Sequence, residues 1–254
     1  TGTSMENHAL HGGGIYHEDG TSLWVNLYTP SAAEWKQRSL RLEVETDFPR
    51  GEQATLRLAL DRPQEFTLKL RRPFWAQGFA IEVNGTAWPT PPPVTGKSDF
   101  VAVTREWRDG DGAALRLPHS LRLEALPYTP NRTAILWGPL VLAAALGPED
   151  TPAIRGHSGG HVRAMPVFVA AGRPPADWLM PVAGQPGRFR SDGVGRDRDV
   201  EFVPFHELHR RTYAVYVDLH TPQGYAELAA QLAAAERRAK ALADATVGFA
   251  QPGE

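Results

Sequence analysis

The sequence is built from short segments in which apolar and polar residues alternate with a period of two. The longest series covers residues 100–147, and shorter ones cover residues 23–28, 38–46, 54–60 and 66–70. Because successive side chains of a β-strand point to opposite faces, each segment can place one face on a core and the other in water. The alternation therefore predicts antiparallel strands, with residues 100–147 at the centre of a β-sandwich.

Turn-forming residues separate these segments at regular intervals. Asn84-Gly85 is the strongest signal, since Asn-Gly readily adopts the positive φ angles of a type I′ hairpin turn. A second tight turn at residues 109–112 joins the predicted strands 101–107 and 114–117. Short strands with such turns favour a sandwich over a fold of alternating strands and helices.

A break in the alternation divides the predicted β region into two domains. Residues 148–163 are polar and contain several glycines, so they are predicted to be a linker. The first sandwich is then expected over residues 21–147, and a second, smaller one over residues 164–221. The predicted fold class is mainly β, with two antiparallel, jelly-roll-like β-sandwich domains, a short N-terminal helix and a C-terminal helix.

The N-terminal residues carry a helix signal. Thr3 and Glu6 form a capping box for a short helix, which the glycines at residues 12–14 end. Because almost everything after this helix is β, residues 1–20 are predicted to be the end of a preceding helical domain.

The C-terminal residues carry a second helix signal. Thr221 suits the N-cap and Pro222 the first helical position, so residues 222–254 are predicted to be a helix and tail. The apolar stripe is thin and alanine-rich, which predicts that the helix leans on another domain or projects. The stripe consists of Leu228, Leu232, Ala235, Ala239 and Leu242.

Composition narrows the classes of partner and chemistry. The 254 residues carry 27 basic and 29 acidic side chains, a balance that argues against a nucleic-acid or anionic-membrane partner. The chain has no cysteine, so it carries no disulfide, thiolate metal site or cysteine nucleophile. No run approaches the roughly 18 apolar residues of a membrane span, and no signal-peptide pattern occurs. The compartment stays open, and both ends resemble cuts in a longer protein.

Two histidine groups are candidate polar sites. His8 and His11 can share a helix face with His17 nearby, but the spacing fits no strict zinc pattern, and capping or packing roles are simpler. His206 and His209 precede a predicted strand without an accompanying nucleophile, so hydrogen bonding to loop backbone is expected of them. No metal site is assigned to the chain.

Paired carboxylates, which ordinary glycoside hydrolysis requires, occur twice. Glu43 and Glu45 share one strand face, and Asp109 and Asp111 share a turn. The first pair suits a solvated strand face, and the second suits turn hydrogen bonding. No catalytic residue is therefore predicted in this chain.

Tryptophans recur through the predicted first sandwich, among them Trp24, Trp35, Trp75, Trp88 and Trp107. Exposed aromatic rings can stack on sugars, whereas sandwiches also bury tryptophans routinely. Core packing is the default interpretation. For a carbohydrate-binding face, the predicted stacking residues are Trp24, Trp75 and Trp107.

A series of short motifs runs through the chain. It consists of GTSMEN at residues 2–7, GIY at 14–16, LWVNLYTPS at 23–31, ETDFP at 45–49, LKLRRPFWA at 68–76, VNG at 83–85, REWRDGD at 105–111, LRLP at 115–118, WGPLVL at 137–142 and YAVY at 213–216. In this order the motifs resemble those of the β-L-arabinofuranosidase-like glycoside hydrolases of families 127 and 146. The resemblance covers nearly the whole chain, and the series is more specific than any one motif.

The resemblance implies a longer enzyme. Such enzymes begin with a large (α/α)6 barrel that holds the active site, followed by β-sandwich domains. Their nucleophile is a zinc-bound cysteine thiolate in a Cys-Cys pair directly before a segment like residues 2–6, and an upstream glutamate is the general acid/base. This chain has no cysteine, so no catalytic residue of the family is carried over to it. The residues that the resemblance places beside the site are Thr1, Gly2, Thr3, Glu6 and Asn7.

The resemblance thus implies the non-catalytic β-sandwich part of a retaining glycoside hydrolase that acts on plant-type, arabinose-containing glycans. Zinc is implied for the parent enzyme and not for this chain, which is predicted to be inactive alone. The expected partners are the parent barrel, its carbohydrate substrate and a second copy in a homodimer. Two alternatives stay open: a carbohydrate-binding module with an exposed tryptophan face, and a purely structural or dimerisation module.

Overall fold

The computed structural model describes residues 10–148, 165–196 and 198–247. Within these residues the fold is mainly β, and an α-helix lies near the C-terminal end. The mainly β, sandwich-type fold class predicted from the alternation is confirmed. The helix predicted to begin at Thr3 and nearly all of the predicted linker lie outside the described residues.

The first unit is a two-sheet sandwich, built mainly from the residues up to 122. Short 3-10 helices occur at His11–Gly14 and Lys36–Arg38. The strands are β1 (Tyr16–Glu18), β2 (Ser22–Val25), β3 (Ser31–Trp35), β4 (Leu40–Thr46), β5 (Gln53–Leu60), β6 (Gln64–Arg72), β7 (Ala80–Val83), β8 (Thr86–Trp88), β9 (Asp99–Trp107) and β10 (Gly112–Arg116).

The strands of the first unit form one sheet of four and one of six. The smaller sheet has the order β1-β2-β6-β9, and the larger has the order β3-β4-β5-β10-β7-β8. Strand β2 pairs with β6 in parallel, whereas the other pairings in these sheets are antiparallel. The register aligns Leu23, Leu68 and Val103 across the smaller sheet, and all three are buried. The alternation therefore identifies the face that meets the core.

Aromatic rings occupy the centre of this core. Trp107 is fully buried, stacks on Phe66 at 5.8 Å between centroids, and donates its indole N–H to the Phe66 carbonyl at 3.2 Å. Trp35 meets the same Phe66 ring edge-on at 5.8 Å. Burial of a side chain such as Phe66 contributes about 1.5–3 kcal/mol, so these rings contribute much of the stability of the sandwich.

The two predicted turns have different roles. Asn84 and Gly85 have φ angles of 49° and 77° and connect β7 to its antiparallel partner β8, so the predicted hairpin is confirmed. The turn at residues 109–112 instead carries the chain from β9 in the smaller sheet to β10 in the larger one. It is a connection between sheets and not a hairpin.

The second unit is built on a nine-stranded sheet. Short 3-10 helices occur at Pro175–Asp177 and Phe205–Glu207. The strands are β11 (Leu121–Leu126), β12 (Thr129–Trp137), β13 (Leu140–Pro148), β14 (Val167–Val169), β15 (Leu179–Pro181), β16 (Phe189–Ser191), β17 (Glu201–Pro204), β18 (Arg211–Ala214) and β19 (Tyr216–His220).

The nine-stranded sheet follows the path β14-β19-β12-β13-β17-β16-β15, with β11 paired to β12 and β18 paired to β13. Strand β14 runs parallel to β19. The core of this unit contains the fully buried rings of Phe168, Trp178 and Phe202. Phe168 lies 5.9 Å from Trp178 and 5.8 Å from Phe202 between ring centroids, so it is the centre of this aromatic core.

Helix α1 (Pro222–Val247) follows β19 and has 26 residues. Its predicted N-cap is confirmed, because the Thr221 hydroxyl accepts a hydrogen bond from the Gly224 N–H at 3.0 Å. The Arg196 guanidinium lies 4.9 Å from the centre of the Tyr225 ring in the first turn. Within the described residues, no helix combines the length and the hydropathy that a membrane crossing requires.

The division between the units falls earlier than predicted. The second unit takes residues 123–135 and those from 141 onward, whereas the predicted boundary lies at the linker after residue 147. The series at residues 100–147 is therefore split between the two units. The predicted domains 21–147 and 164–221 stay a prediction. Alternation shows which face of a strand is buried, but it does not show which sheet the strand joins.

Candidate functional site

Four aromatic rings meet in the first unit, and we call this group the aromatic cluster. It consists of Phe48 after β4, Trp75 after β6, His119 after β10 and Trp137 at the end of β12. The Phe48 and Trp75 rings are stacked, with centroids 6.1 Å apart and 8° between their planes. The His119 ring lies 5.6 Å from Trp75 and 4.3 Å from Trp137. Three segments that are distant in sequence thus converge on one histidine.

Hydrogen bonds fix the loops that carry Phe48 and His119. The Thr46 hydroxyl accepts from the Phe48 N–H at 2.9 Å. The Glu52 carboxylate accepts from the backbone N–H of His119 at 2.8 Å, and the Glu52 carbonyl accepts from the Leu117 N–H at 2.7 Å. The loop between β4 and β5 is therefore attached directly to the end of β10.

Gly138 lies against the imidazole of His119. Its φ angle is 54°, and a β-carbon at this position would lie 2.2 Å from Cδ2 of His119. Its N–H donates to the Ser120 carbonyl at 3.1 Å, and its carbonyl accepts from the Arg122 guanidinium. Glycine meets both requirements, because it adopts a left-handed φ without strain and has no β-carbon.

The imidazole of His119 is held in an apolar environment. Both ring nitrogens are buried, and neither has a hydrogen-bond partner in the described part of the chain. Burial lowers the pKa of His119 below its ordinary value of 6.5, while the Glu52 carboxylate acts in the opposite direction. Burial therefore favours the neutral form of the ring. A buried polar group without a partner costs about 1–3 kcal/mol, so His119 is retained at a cost in stability.

The geometry of the aromatic cluster is that of a packing site. Both ring nitrogens of His119 are buried within the cluster and do not face solvent. The rings instead join the ends of β4, β6, β10 and β12. The cluster therefore fixes the loops at this end of the sandwich.

An ion pair lies three residues before Trp75. Arg72 is 5% exposed, and its guanidinium donates to Asp99 at 2.8 and 2.5 Å and to the carbonyls of Pro91 and Pro92 at 2.6 and 3.2 Å. The hydrogen bonds from Arg72 lower the pKa of Asp99. Arg72 thus ties the proline-rich loop to β6 and β9.

The three predicted stacking residues lie in different environments. Trp107 is fully buried, and Trp75 is a buried member of the aromatic cluster. Sugar stacking by these two residues stays a prediction. Trp24 is half-buried on the face of β2 that points away from the core. The Lys69 ammonium lies 3.9 Å from the centre of its ring. Stacking by Trp24 stays a prediction.

The remaining tryptophans of the predicted face differ in the same way. Trp35 lies in the core, where it is 5% exposed. Trp88 is half-buried on β8, and its indole N–H donates to the Ala102 carbonyl at 3.4 Å.

The two carboxylate pairs have the structural roles that the sequence favours. Glu43 and Glu45 lie on the solvated face of β4, where they pair with Arg41 at 2.8 Å and with Arg57 at 3.2 Å. The carboxylates of the turn at residues 109–112 accept backbone hydrogen bonds at 3.1 Å from β5 and at 2.9 Å from the turn itself.

The histidine groups are only partly described. His206 and His209 are exposed, and Nε2 of His206 lies 3.9 Å from Glu207. His8 lies outside the described residues, so the hypothesis of a metal site with His11 and His17 stays untested. Across residues 10–148, 165–196 and 198–247, no three His, Cys, Asp or Glu side chains form a group that could hold a metal ion.

The N-terminal residues that the resemblance places beside an active site lie outside the described residues. They are Thr1, Gly2, Thr3, Glu6 and Asn7. Their predicted position stays a prediction.

Comparisons with known proteins divide the chain close to the boundary between the two units. The family model described as the β-L-arabinofuranosidase, GH127 middle domain, matches residues 22–119. Residues 122–219 match a second family model, which is described as a domain of unknown function. A comparison with curated proteins found no match.

Solved structures share the fold. A GH127 β-L-arabinofuranosidase from Geobacillus stearothermophilus T6 matches with a TM-score of 0.58 at 18% identity, over 82% of this chain and 35% of that chain. A structure described as a glycoside hydrolase matches with a TM-score of 0.56 at 18% identity, over 81% of this chain and 37% of that chain. A GH127 β-arabinofuranosidase matches with a TM-score of 0.56 at 20% identity, over 81% of this chain and 36% of that chain. This chain spans about a third of the length of each of these three structures.

The sequence does not by itself predict the aromatic cluster, although its four residues lie in or next to motifs of the series. Phe48, Trp75 and Trp137 each lie inside a motif that resembles the family, and His119 directly follows another. The motifs at residues 45–49, 68–76, 115–118 and 137–142 therefore meet in space. In this chain, these motifs form one packing site rather than four separate ones.

Proposed function

We propose that this chain is the non-catalytic β-sandwich part of a retaining glycoside hydrolase that acts on plant-type, arabinose-containing glycans, as β-L-arabinofuranosidases do. The catalytic groups of the proposed enzyme are a zinc-bound cysteine thiolate and a glutamate, and both lie outside this chain. The observation that carries the proposal is the match of residues 22–119 to the GH127 middle domain.

The described residues fit a supporting role. Trp107, Phe66 and the aromatic cluster are engaged in packing, and the buried guanidinium of Arg72 is satisfied by hydrogen bonds within the sandwich. The chain has no cysteine, and no group of three potential metal ligands occurs in its described part. No step of the proposed chemistry is therefore assigned to the described residues.

In the proposed enzyme, the sandwich braces the catalytic barrel and positions residues 1–7 beside the active site. A rigid support matters because catalytic groups must be held within a fraction of an ångström of their productive geometry. The aromatic cluster and the Arg72–Asp99 ion pair are the features that keep the first unit rigid.

A carbohydrate-binding module is the alternative from a different class. It requires at least two exposed aromatic rings that can contact one glycan. Trp107 is fully buried, Trp75 packs within the aromatic cluster, and the ring of Trp24 faces the Lys69 ammonium. These observations favour the structural role over glycan binding by the predicted tryptophans.

The proposal is tested with the longest natural polypeptide that contains these 254 residues. We expect it to release nitrophenol from nitrophenyl β-L-arabinofuranoside with retention of anomeric configuration, to contain bound zinc by elemental analysis, and to act much less on the α-L anomer. A polypeptide without zinc, or one that hydrolyses other glycosides but no β-L-arabinofuranoside, would overturn the proposal.

A further inference from the structure

The first unit has a cavity between strands β1 and β3, and each of these strands is the terminal strand of its sheet. The two strands meet where the hydroxyls of Tyr16 on β1 and Ser31 on β3 form a hydrogen bond at 2.7 Å. Next to this contact they leave a space of about 160 Å³, which we call the edge cleft. Its lining includes Tyr16, Glu18, Leu23, Ala33, Trp35 and Leu42.

The strand registers show which side chains face the edge cleft. On β1, Glu18 pairs with Leu23 of β2, whose side chain is buried in the core. On β3, Ala33 pairs with Leu42 of β4, which is buried as well. Because paired residues of neighbouring strands share a face of the sheet, Glu18 and Ala33 both face the space between the two sheets. The cleft thus combines an inward-facing carboxylate with a small side chain that leaves room beside it.

Trp35 places a hydrogen-bond donor beside the edge cleft. Its ring lines the cleft, and the residue is only 5% exposed. The indole N–H is buried and has no hydrogen-bond partner in the part of the chain that the structure describes. Since a buried donor without a partner lowers stability, its retention next to a cavity indicates an acceptor that a ligand supplies.

Glu18 places an acceptor at the mouth of the same cleft. Its Oε2 accepts a hydrogen bond from the Gly20 N–H at 2.8 Å, which holds the carboxylate in position. A carboxylate can accept several hydrogen bonds, so Glu18 can also accept one from a ligand. The floor between this acceptor and the indole N–H is aliphatic, and it is made by Leu23, Ala33 and Leu42.

The ligand that fits this lining is small, neutral and rich in hydroxyl groups. An anion would be repelled by the carboxylates of Glu18 and Glu34 at the rim, and a cation would leave the indole N–H of Trp35 without an acceptor. A hydroxyl both donates and accepts, and the C–H groups of a sugar ring can cover the aliphatic floor. A space of about 160 Å³ is smaller than the roughly 300 Å³ of a site for a drug-sized ligand, so it holds a single sugar residue.

A larger groove adjoins the edge cleft. It has a volume of about 530 Å³, and Glu34, Trp35 and Leu40 line both spaces. Hydroxyl groups can pair with charges of either sign, whereas a peptide needs pockets for its apolar side chains. The groove therefore favours further sugar residues over a peptide. Its charged lining residues include Lys36, Arg41, Asp61 and Asp109.

We propose that the edge cleft binds the terminal sugar residue of a short glycan, and that the following residues of the glycan lie in the adjoining groove. Such a site holds a sugar in a cleft and not on an exposed aromatic face, so it needs none of the predicted stacking residues. The proposal does not rest on the proposed enzymatic function, because it depends only on side chains of the first unit.

Nuclear magnetic resonance tests the site on the 254-residue chain with isotope-labelled tryptophan indoles. Trp35→Phe identifies the indole N–H signal of Trp35 by its loss. Arabinotetraose, galactotetraose and cellotetraose are the probes, each compared with its free monosaccharide. We expect the Trp35 signal to shift with at least one tetrasaccharide, and the matching monosaccharide to bind about tenfold more weakly because it leaves the groove empty.

A pair of alanine variants provides the matched control. Ala33→Leu fills the edge cleft without removing a polar group, so it is expected to weaken binding by about tenfold or more. Ala32→Leu lies on the exposed face of the same strand and is expected to leave binding unchanged. Glu18→Ala is expected to weaken binding about tenfold, because it removes a charged acceptor.

Three results would overturn the proposal. The first is an unshifted Trp35 signal with all of these sugars. The second is equal binding by Ala33→Leu and Ala32→Leu. The third is a shift with N-acetylasparagine amide and with none of the sugars, which would indicate a peptide ligand.

Discussion

A β-carbon on Gly138 would lie 2.2 Å from Cδ2 of His119, well inside the contact distance of two carbon atoms. The backbone after β12 and the imidazole after β10 therefore fit together only because residue 138 is glycine. The His119 ring in turn contacts Trp137, Trp75 and Phe48. The four rings of the aromatic cluster can therefore pack in this arrangement only if residue 138 is glycine.

Gly138→Ala is expected to lower the free energy of unfolding by roughly 3 kcal/mol, since it combines a steric clash with an unfavourable positive φ. Gly110→Ala is the matched control, because Gly110 has a φ of 80° and its β-carbon would meet no atom within 4 Å. Gly110→Ala is expected to lower the free energy of unfolding by about 1 kcal/mol, because of backbone strain alone. Urea unfolding measures both, and equal losses would contradict the role assigned to the His119 contact.

The neutral His119 predicts a pH-dependent stability. Its pKa is lowered by burial in the folded state, so the unfolded chain takes up a proton below about pH 6.5 while the folded chain stays neutral. The unfolded state then binds more protons, so this contribution to stability is complete above pH 6.5 and is lost as the pH falls below that value.

His119→Phe removes this contribution and keeps an aromatic ring in the cluster. The difference in unfolding free energy between the parent chain and the variant is expected to change between pH 7 and pH 5 and to be constant above pH 7. Asp99 also has a lowered pKa, caused first by its hydrogen bonds from Arg72. Its contribution to stability is lost only as the pH falls below its ordinary pKa of 3.8, which lies outside the range from pH 7 to pH 5. Parallel stability curves for the two chains would contradict the prediction.

Arg72→Met is expected to lower the free energy of unfolding by about 3 kcal/mol, because it leaves the Asp99 carboxylate without its partner. This is the lower end of the usual range, since the Asp99 side chain keeps 25% exposure to water. Arg57→Met is the control, because Arg57 and its partner Glu45 are 64% and 59% exposed, and its loss is expected to cost less than about 1 kcal/mol. Thermal unfolding of both variants shows whether the buried ion pair stabilises the fold more than the exposed pair does.

Trp107→Ala is expected to lower the free energy of unfolding by about 3–5 kcal/mol, since it removes a fully buried ring and leaves a cavity beside Phe66. Trp24→Ala on the outer face of the same sheet is expected to cost about 1 kcal/mol. Urea unfolding measures both variants. A larger loss for Trp24→Ala would show that the two faces of the sheet have been assigned the wrong way round.

The strands and their buried faces were predictable because alternation reports burial directly. In β4, Leu40, Leu42 and Val44 are buried, as the pattern requires. The Asn84-Gly85 hairpin was predictable because both residues tolerate the positive φ that the turn needs. These features depend on a few neighbouring residues, which a single sequence contains.

The features that join distant segments were not predictable from local pattern. Strands β9 and β10 are consecutive but lie in different sheets, and β11 to β13 belong to the nine-stranded sheet rather than to either sheet of the first unit. The pairing of Arg72 with Asp99 and the meeting of Phe48 with Trp75 depend on that topology. The sequence does not distinguish Trp24, Trp75 and Trp107. The fold places Trp24 on the outer face of a sheet, Trp75 in the aromatic cluster and Trp107 in the core.

The most direct test of the account compares the 254-residue chain alone with the longer natural polypeptide on nitrophenyl β-L-arabinofuranoside, with zinc supplied to both. We expect hydrolysis by the longer polypeptide and none above the buffer rate by the chain alone, after circular dichroism has been used to check that the chain alone is folded. Zinc-dependent release of arabinose by the 254 residues alone would contradict the proposal that this chain is a non-catalytic module.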